Sequence, residues 1–287
     1  MPLLLRAALP SIPVVNQLPG VRKTGDDPSR LREVRTATVT PEHVRRYAAV
    51  CGFPVKDTAP VTFPHVLAFP LHMAVLSSPE FPFPAIGMVH LHNVITQYRP
   101  VAVGESLMLE VHASPLRPHP KGTAVDFLAT ASVQGTPVWE SSSTYLRRGA
   151  SLDDHPVPPG STDERSPADV VPGRVSWRLP GDLGRRYAAV SGDSNPIHLH
   201  PLTARALGYR RPIAHGMWSL ARCVAALENR LPDAVTVEAA FKKPIPLPGR
   251  VAFGQDPAHD GGAGIAFALT SPEDGAPHVV GRTRAVS

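Results

Sequence analysis

Asp193 and His198 stand five residues apart in the run YAAVSGDSNPIHLHPLTARALGYRRPIAHGM, residues 187–217, with Asn195-Pro196 between them. An Asn-Pro step favours turning. A turn lets the carboxylate and the imidazole converge on one point, which neither an unbroken helix nor a strand allows at that spacing. Their ordinary pKa values, about 3.9 and about 6.5, let such a pair hold one water and trade protons with it near neutral pH once burial adjusts them. A plainer reading stands beside this: GDSNP is a good turn sequence, an Asp after Gly is often a cap, and a loop histidine is usually solvated, so the five residues alone decide nothing. The run continues through Gly208-Tyr209 into PIAHGM, residues 212–217. There a helix is expected to begin, and its N-terminus would present free backbone N–H groups and a positive dipole end. Gly216 is therefore placed to offer a donor to a developing oxyanion, although close helix-sheet packing also accounts for a glycine. His215 reads as a packing residue.

The elements that must position these groups follow from periodicity. Ile213 to Arg230 carries Met217, Leu220, Ala221, Val224 and Leu227 at helical spacing, with Arg222, Asn229 and Arg230 elsewhere on the wheel. After it come TVEAAFKKP, GRVAFGQ, GIAFALT and HVVGRTRAV, short alternating or β-branched runs separated by Gly, Pro and Asp. The first half shows similar runs at VHLHNVITQYR, SLMLEVHAS, TAVDFLATASVQ and PVWESSSTYLRR. A helix followed by an antiparallel sheet able to wrap it predicts an α+β unit in each half.

The halves resemble each other directly. RRYAAVCG at 45–52 and RRYAAVSG at 185–192 agree in seven of eight positions at an offset of 140. PLHMAVL at 70–76 resembles AHGMWSL at 214–220, and YRPVAVGESLMLEV at 98–111 resembles KKPIPLPGRVAFG at 242–254. Three matches in the same order predict two copies of one fold. Residues 151–173, SLDDHPVPPGSTDERSPADVVPG, are rich in proline, small residues and acids and read as a linker. The expected division is 1–150, 151–173 and 174–287.

Among 287 residues, 43% are hydrophobic and 18% charged, which excludes wholesale disorder. The 34 prolines are more than twice the ordinary usage of about 5%, which disfavours long uninterrupted helices. No apolar run approaches the roughly 18 to 20 residues of a membrane span. The opening MPLLLRAALPSIPVV is broken by Arg6, Pro10 and Pro13 and reads as an N-terminal arm rather than a signal peptide. Cys51 and Cys223 supply neither a disulfide framework nor a CxxC pair, and a reducing, cytoplasmic setting is expected. The net charge of +5 comes as scattered basic pairs without an RNA-binding or finger motif, so no nucleic-acid partner is expected.

GDSNPIH followed by PIAHGM resembles the hydratase motif of the MaoC-like family, which includes R-specific enoyl-CoA hydratases and the hydroxyacyl dehydratases of fatty-acid synthesis. The resemblance implies a double hot-dog, two tandem units that each wrap a long helix in an antiparallel sheet. It makes Asp193 and His198 the catalytic dyad, has Asn195 support the hydrogen bonds of the site, and gives the oxyanion N–H to Gly216. The family commonly has Asp two residues after the motif His, where this chain has His200. Further implications are an acyl-CoA or acyl carrier protein thioester as substrate, R-configured 3-hydroxyacyl products, no cofactor and no metal. Arg210, Arg211, Lys242 and Lys243 are candidates for the carrier's phosphates. Carried through the motif, the 140-residue offset sets Phe53, Val55 and Thr58 against Asp193, Asn195 and His198, so the first copy has no dyad. Two-hot-dog members keep one working site, and the other half makes room for a bulky acyl chain. Here the helix around Val66–Leu76, with Phe53 and Phe63, is expected to line that room. A hot-dog thioesterase and a non-catalytic acyl-thioester-binding protein are the competing readings. Fused copies already supply the pairing that single copies gain by dimerising, so a monomer or a homodimer is compatible.

Overall fold

The computed structural model describes residues 23, 25–85, 87–149, 170–258 and 264–286. The expected N-terminal arm, and the expected linker except for 170–173, lie outside the described residues.

Each half opens with an edge strand and a short helix. Strand β1, Arg32–Thr38, leads to helix α1, Pro41–Cys51, where Thr40 Oγ1 accepts from the His43 N–H at 3.4 Å and Pro41 occupies the first turn. Strand β7, Val175–Leu179, leads likewise to helix α3, Leu183–Ser191. Both helices end on a left-handed glycine, Gly52 at φ 82° and Gly192 at φ 76°, which is why both RRYAAV copies finish in glycine. Neither edge strand was anticipated. Their residues are mostly exposed and polar, and such strands give little alternation to read.

The long helices follow. Helix α2, Phe63–Ser77, is buried on nearly every face despite Pro70 in its interior. An interior proline costs about 3 kcal/mol, whereas each fully buried Phe, Val or Leu contributes about 1.5–3 kcal/mol. Phe63, Val66, Leu71, Val75 and Leu76 together outweigh it. Helix α5, Gly216–Leu227, continues as a 3-10 turn over Glu228–Arg230. It starts three residues later than expected because Ile213 and Ala214 are extended: Ile213 bridges Pro246, and the Ala214 N–H donates to Ile245 O at 2.9 Å.

The remaining first-half strands are β2 (Met88–Gln97), β3 (Ser106–Ala113), β4 (Arg117–His119), β5 (Gly122–Val133) and β6 (Thr136–Arg148). Those of the second half are β8 (Val235–Phe241), β9 (Gly249–Pro257), β10 (Ile265–Thr270) and β11 (Pro277–Ala285). Leaving aside β4 at the side of β5, they form one antiparallel sheet in the order β1-β3-β5-β6-β2-β8-β11-β10-β9-β7. Read from each end inward, the two halves have the same order, and β2 and β8 join them. Val94 faces Glu238 in that seam, 144 residues on, the same offset that relates YRP at 98 to KKP at 242. The chain is thus a double hot-dog with a local pseudo-twofold at the seam. The helices also clasp across the halves: the Trp218 indole N–H of α5 donates to Val50 O of α1 at 3.1 Å, and the Tyr47 and Tyr187 rings of the two short helices lie 6.3 Å apart.

One part of the repeat alignment needs correction. Helices α2 and α5 begin at Phe63 and Gly216, 153 residues apart, so PLHMAVL lies inside α2 whereas AHGMWSL straddles the start of α5. The offset grows from 140 because 23 residues, 193–215, separate Gly192 from α5, while ten, 53–62, separate Gly52 from α2. The segment bearing Asp193 and His198 is an excursion without a full counterpart. The match of Thr58 to His198 loses its meaning, and Thr58 instead bridges Ala102. Among the described residues no helix is long and apolar enough to cross a membrane.

Candidate active site

The excursion is held by its own side chains. Ser191 Oγ accepts from the Asp193 N–H at 3.2 Å, Asp193 Oδ1 accepts from the Asn195 N–H at 3.1 Å, and Asn195 Oδ1 accepts from the Ile197 N–H at 3.4 Å. These successive Asx-type turns feed a one-turn 3-10 helix, Pro196–His198. Asn195 therefore shapes the loop through its own carbonyl oxygen. Helix α4, Pro201–Ala206, closes the excursion, and His200 caps it by accepting the Leu202 N–H at 3.2 Å. Behind the loop, Arg185 Nη1 donates to Leu199 O at 3.1 Å and Thr203 Oγ1 donates to Pro196 O at 2.7 Å.

The turn delivers Asp193 and His198 to one place. His198 is buried, and its Nδ1–H donates to Ile213 O at 2.7 Å. The carbonyl partner assigns the proton to Nδ1 and leaves Nε2 as the basic nitrogen. Burial pushes the His198 pKa below its ordinary value, opposed by the Asp193 charge and the Ile213 carbonyl. His215, read from the sequence as packing, also belongs to the site. Its Nε2–H donates to Asp193 O at 2.9 Å, and its ring stacks on His198 with centroids 3.6 Å apart. Burial, followed by the neighbouring His198, holds it well below the ordinary histidine range. Its 3.8 Å approach to Asp193 Oδ2 is thus a contact of a neutral ring, not an ion pair.

One polar atom from each of Asp193, His198 and His215 can be chosen so that all lie within 4.8 Å of one another. Among the described residues no hydrogen bond joins the Asp193 carboxylate to His198. Two groups each within hydrogen-bond reach, about 2.7–3.0 Å, of one water can share it. The same three side chains offer a nitrogen-nitrogen-oxygen set that could ligate a metal ion, although proton transfer by the pair requires none. Gly216 heads α5, and the preceding His215 makes no side-chain cap, so the first N–H groups of the helix are left for a ligand. A Cβ at Gly216 would lie 3.2 Å from the Phe241 ring, so close packing and donor access both favour glycine there.

These groups open on a cavity of about 280 Å³ between the halves. Helix α2 contributes His65, Val66 and Phe69, strand β2 contributes Met88, Val89 and His90, and strand β6 contributes Tyr145. Lys242 and Lys243 lie on the wall together with Arg148, whereas Arg210 and Arg211 do not. Arg211 Nη1 instead donates to Pro248 O at 3.2 Å, and the Arg210 carbonyl accepts from Arg205 Nε at 3.5 Å. Phe53 and Phe63 also differ from expectation: both pack in the core around Tyr47, because α1 interposes Tyr47 against them.

Residues 166–253 match the model of the MaoC like domain. Over 282 residues, 98% of this chain and 96% of its relative, the sequence is 36% identical to the 3-hydroxyacyl-thioester dehydratase X of Mycobacterium tuberculosis. The chain belongs to the MaoC-like dehydratase family. The crystal structure of HtdX from Mycobacterium tuberculosis superposes with a TM-score of 0.74 at 34% identity, covering 88% of this chain and 100% of that one. A MaoC-like dehydratase from Phytophthora capsici shares the fold at a TM-score of 0.74 and 19% identity, covering 92% of this chain and 98% of that one. An (R)-specific enoyl-CoA hydratase of Aeromonas caviae is 33% identical over 76 residues, 25% of this chain and 57% of that protein.

In this MaoC-like chain the residues that sequence reasoning missed are His215, His65, His90, Tyr145 and Arg148. His215 carried a weak signal, since it immediately precedes Gly216 in PIAHGM. The others come from the half without the motif, and only the α2 and β2–β8 packing brings them to the second half's loop.

Proposed function

We propose that the chain reversibly hydrates a trans-2-enoyl thioester to the (R)-3-hydroxyacyl thioester, with Asp193 and His198 as the acid-base pair. One observation carries this reading: His198 is pinned through Nδ1 to Ile213 O, which leaves Nε2 as its basic nitrogen, while a ring nitrogen of His198 lies within 4.8 Å of an Asp193 carboxylate oxygen and both residues line one cavity with Gly216. His198 Nε2 accepts a proton from water while Asp193 orients it, and the water oxygen bonds to C3. Electron density moves to the thioester oxygen, where the Gly216 N–H stabilises it, and the proton taken from water returns to C2. Removing one such oxyanion donor costs about 10² to 10³ in rate in enzymes where it has been tested. The R configuration is that of the family's hydratases.

The remaining assignments belong to the same proposal. Lys242 and Lys243, joined by Arg148, meet the phosphates of CoA or of a carrier protein's phosphopantetheine, and Arg210 and Arg211 lie farther out. The N-terminal unit, within 1–150, accommodates the acyl chain and is tied by 151–173 to the catalytic unit, 174–287. The protein acts in the cytoplasm, and its internal β2–β8 seam lets it work as a monomer.

The test is loss of conjugated enoyl absorbance on mixing the purified protein with trans-2-enoyl-CoA, beside Asp193→Ala and His198→Ala variants. Loss with the unaltered protein that both variants abolish supports the reading, and a chelator should leave the rate unchanged. Release of free thiol would identify a thioesterase, and binding without turnover a carrier.

A further inference from the structure

The wall that the first half lends to the cavity is not the apolar trough expected for an alkyl chain. His65 is 3% exposed and lines the cavity, yet its side chain makes no hydrogen bond among the described residues. His90 Nε2 is buried and unpartnered, and its ring lies 6.5 Å from His65 and 4.5 Å from Tyr145, on which it stacks. The Tyr145 hydroxyl likewise has no hydrogen-bond partner among the described residues. Behind His65, the fully buried His72 packs edge-on at 5.2 Å with neither nitrogen bonded. Burial holds the three imidazoles neutral, so each ring carries one donor and one acceptor and matches a neutral partner rather than an ion. His65, His90 and Tyr145 line the same cavity as Asp193 and His198.

We propose that His65, His90 and Tyr145 recognise an oxygen function, a hydroxyl or a keto group, on the acyl chain of the thioester, making an oxygenated enoyl group the preferred substrate. The inference rests on the hydratase reading for the identity of the ligand. A plain alkyl chain laid against this wall would displace water from His65 Nε2 and the Tyr145 hydroxyl, which are unpartnered among the described residues and not closed off, and leave them unpaired. A buried donor or acceptor left unsatisfied weakens binding by about tenfold, and an oxygen on the chain removes that penalty.

The experiment pairs saturated acyl-CoAs of equal length, one plain and the others with a hydroxyl walked from C4 to C8, and measures their affinity for the intact protein by calorimetry. Initial hydration rates of the matching trans-2-enoyl-CoAs and of trans-2-butenoyl-CoA are recorded in parallel. At one or two hydroxyl positions, binding about tenfold tighter than the plain chain is expected. His65→Leu should abolish that preference while the plain chain binds as well as before or better. Should His65→Leu fail to fold, His90→Gln serves as the second variant and should shrink the preference while retaining a donor and an acceptor. Equal or weaker affinity for every hydroxylated chain overturns the proposal, as does a uniform loss in His65→Leu that includes the butenoyl substrate. No hydration of any trans-2-enoyl-CoA, nor of the same chains on an acyl carrier protein, with the hydroxyl preference intact would sink the hydratase reading and leave the recognition standing.

Discussion

Gly184 lies on helix α3, outside the motif, and a methyl group there should disable the site. At the repeat offset of 140 it corresponds to Val44, a buried residue of α1. The second half cannot carry that valine, because its excursion brings the His198 backbone across the helix. A Cβ built on Gly184 overlaps the His198 carbonyl oxygen, lies 2.9 Å from the carbonyl carbon and 3.4 Å from the His198 Cβ. Cβ atoms essentially never approach another heavy atom within 3.0 Å, so the overlap with the carbonyl oxygen means that Gly184→Ala must push the His198 peptide aside by about one ångström or more. A misplacement of about 1 Å can cost 10²-fold in rate. Stability should change less, since overpacking costs about 1–3 kcal/mol and replacing a helical glycine by alanine returns about 1 kcal/mol. The assay is enoyl-CoA hydration at saturating substrate, with thermal unfolding on the same samples. A kcat about 10²-fold down with a Tm within several degrees of the parent is expected. The control is Val44→Ala, which opens space in the first half; it should cost about 1–3 kcal/mol of stability and leave kcat nearly unchanged. Activity in Gly184→Ala within threefold of the parent would refute the reasoning.

Three further outcomes follow. His65, His72, His90, His198, His215 and His278 are all shifted down by burial, so below about pH 6.5 the unfolded chain binds protons that the folded chain refuses. Stability is complete above that pH and falls as the pH drops; His65 alone, pushed down to about 4, removes about 3 kcal/mol over that window. Denaturant midpoints that stay flat from pH 7 to pH 4.5 would contradict this. The same direction of shift at His198 predicts that the acid limb of kcat/KM lies below pH 6.5, because the base stays unprotonated there, and a limb above 7 would reassign the base. Reversing the cavity-wall cations with Lys242→Glu and Lys243→Glu should raise KM for the CoA thioester with little change in kcat and flatten its salt dependence, whereas Arg210→Glu should do less.

The reach of the sequence can be followed residue by residue. The helix of Met217, Leu220, Val224 and Leu227 and the strands around it were legible because one apolar face repeats with a single period. The convergence of Asp193 and His198 was legible because Asn195-Pro196 is a local turn whose geometry needs no tertiary partner. Edge strands β1 and β7 were not, since their register is set by β3 and β9 rather than by their own pattern. The partners His65, His90 and Tyr145 were not legible for a related reason. Their role depends on a seam between β2 and β8 whose residues lie more than 130 positions apart. His215 shows a third case: its neighbour Gly216 was singled out, but what an N-cap side chain does when it declines to cap depends on the loop opposite.

The excursion explains how one unit can hold a site that its twin lacks. Between the terminal glycine of the short helix and the start of the long one, the first half has ten residues and the second has 23. Ten residues lead from α1 to α2 and leave Phe53 to pack on Tyr47. The longer path folds back on itself through its Asx-type turns, sets His198 against Ile213 O, and lets His215 reach the Asp193 carbonyl before α5 begins. Each of these bonds is made within the excursion or to the residues just before the helix, so the acid-base geometry is local to the second half. The wall opposite belongs to the first half, which carries no dyad and is free to change its side chains without disturbing that geometry. On the function proposed above, chemistry and selectivity would be divided between the two copies: substitutions at Gly184, Asp193 or His198 should act on kcat for every substrate, and substitutions at His65 or His90 should act on which chain is accepted.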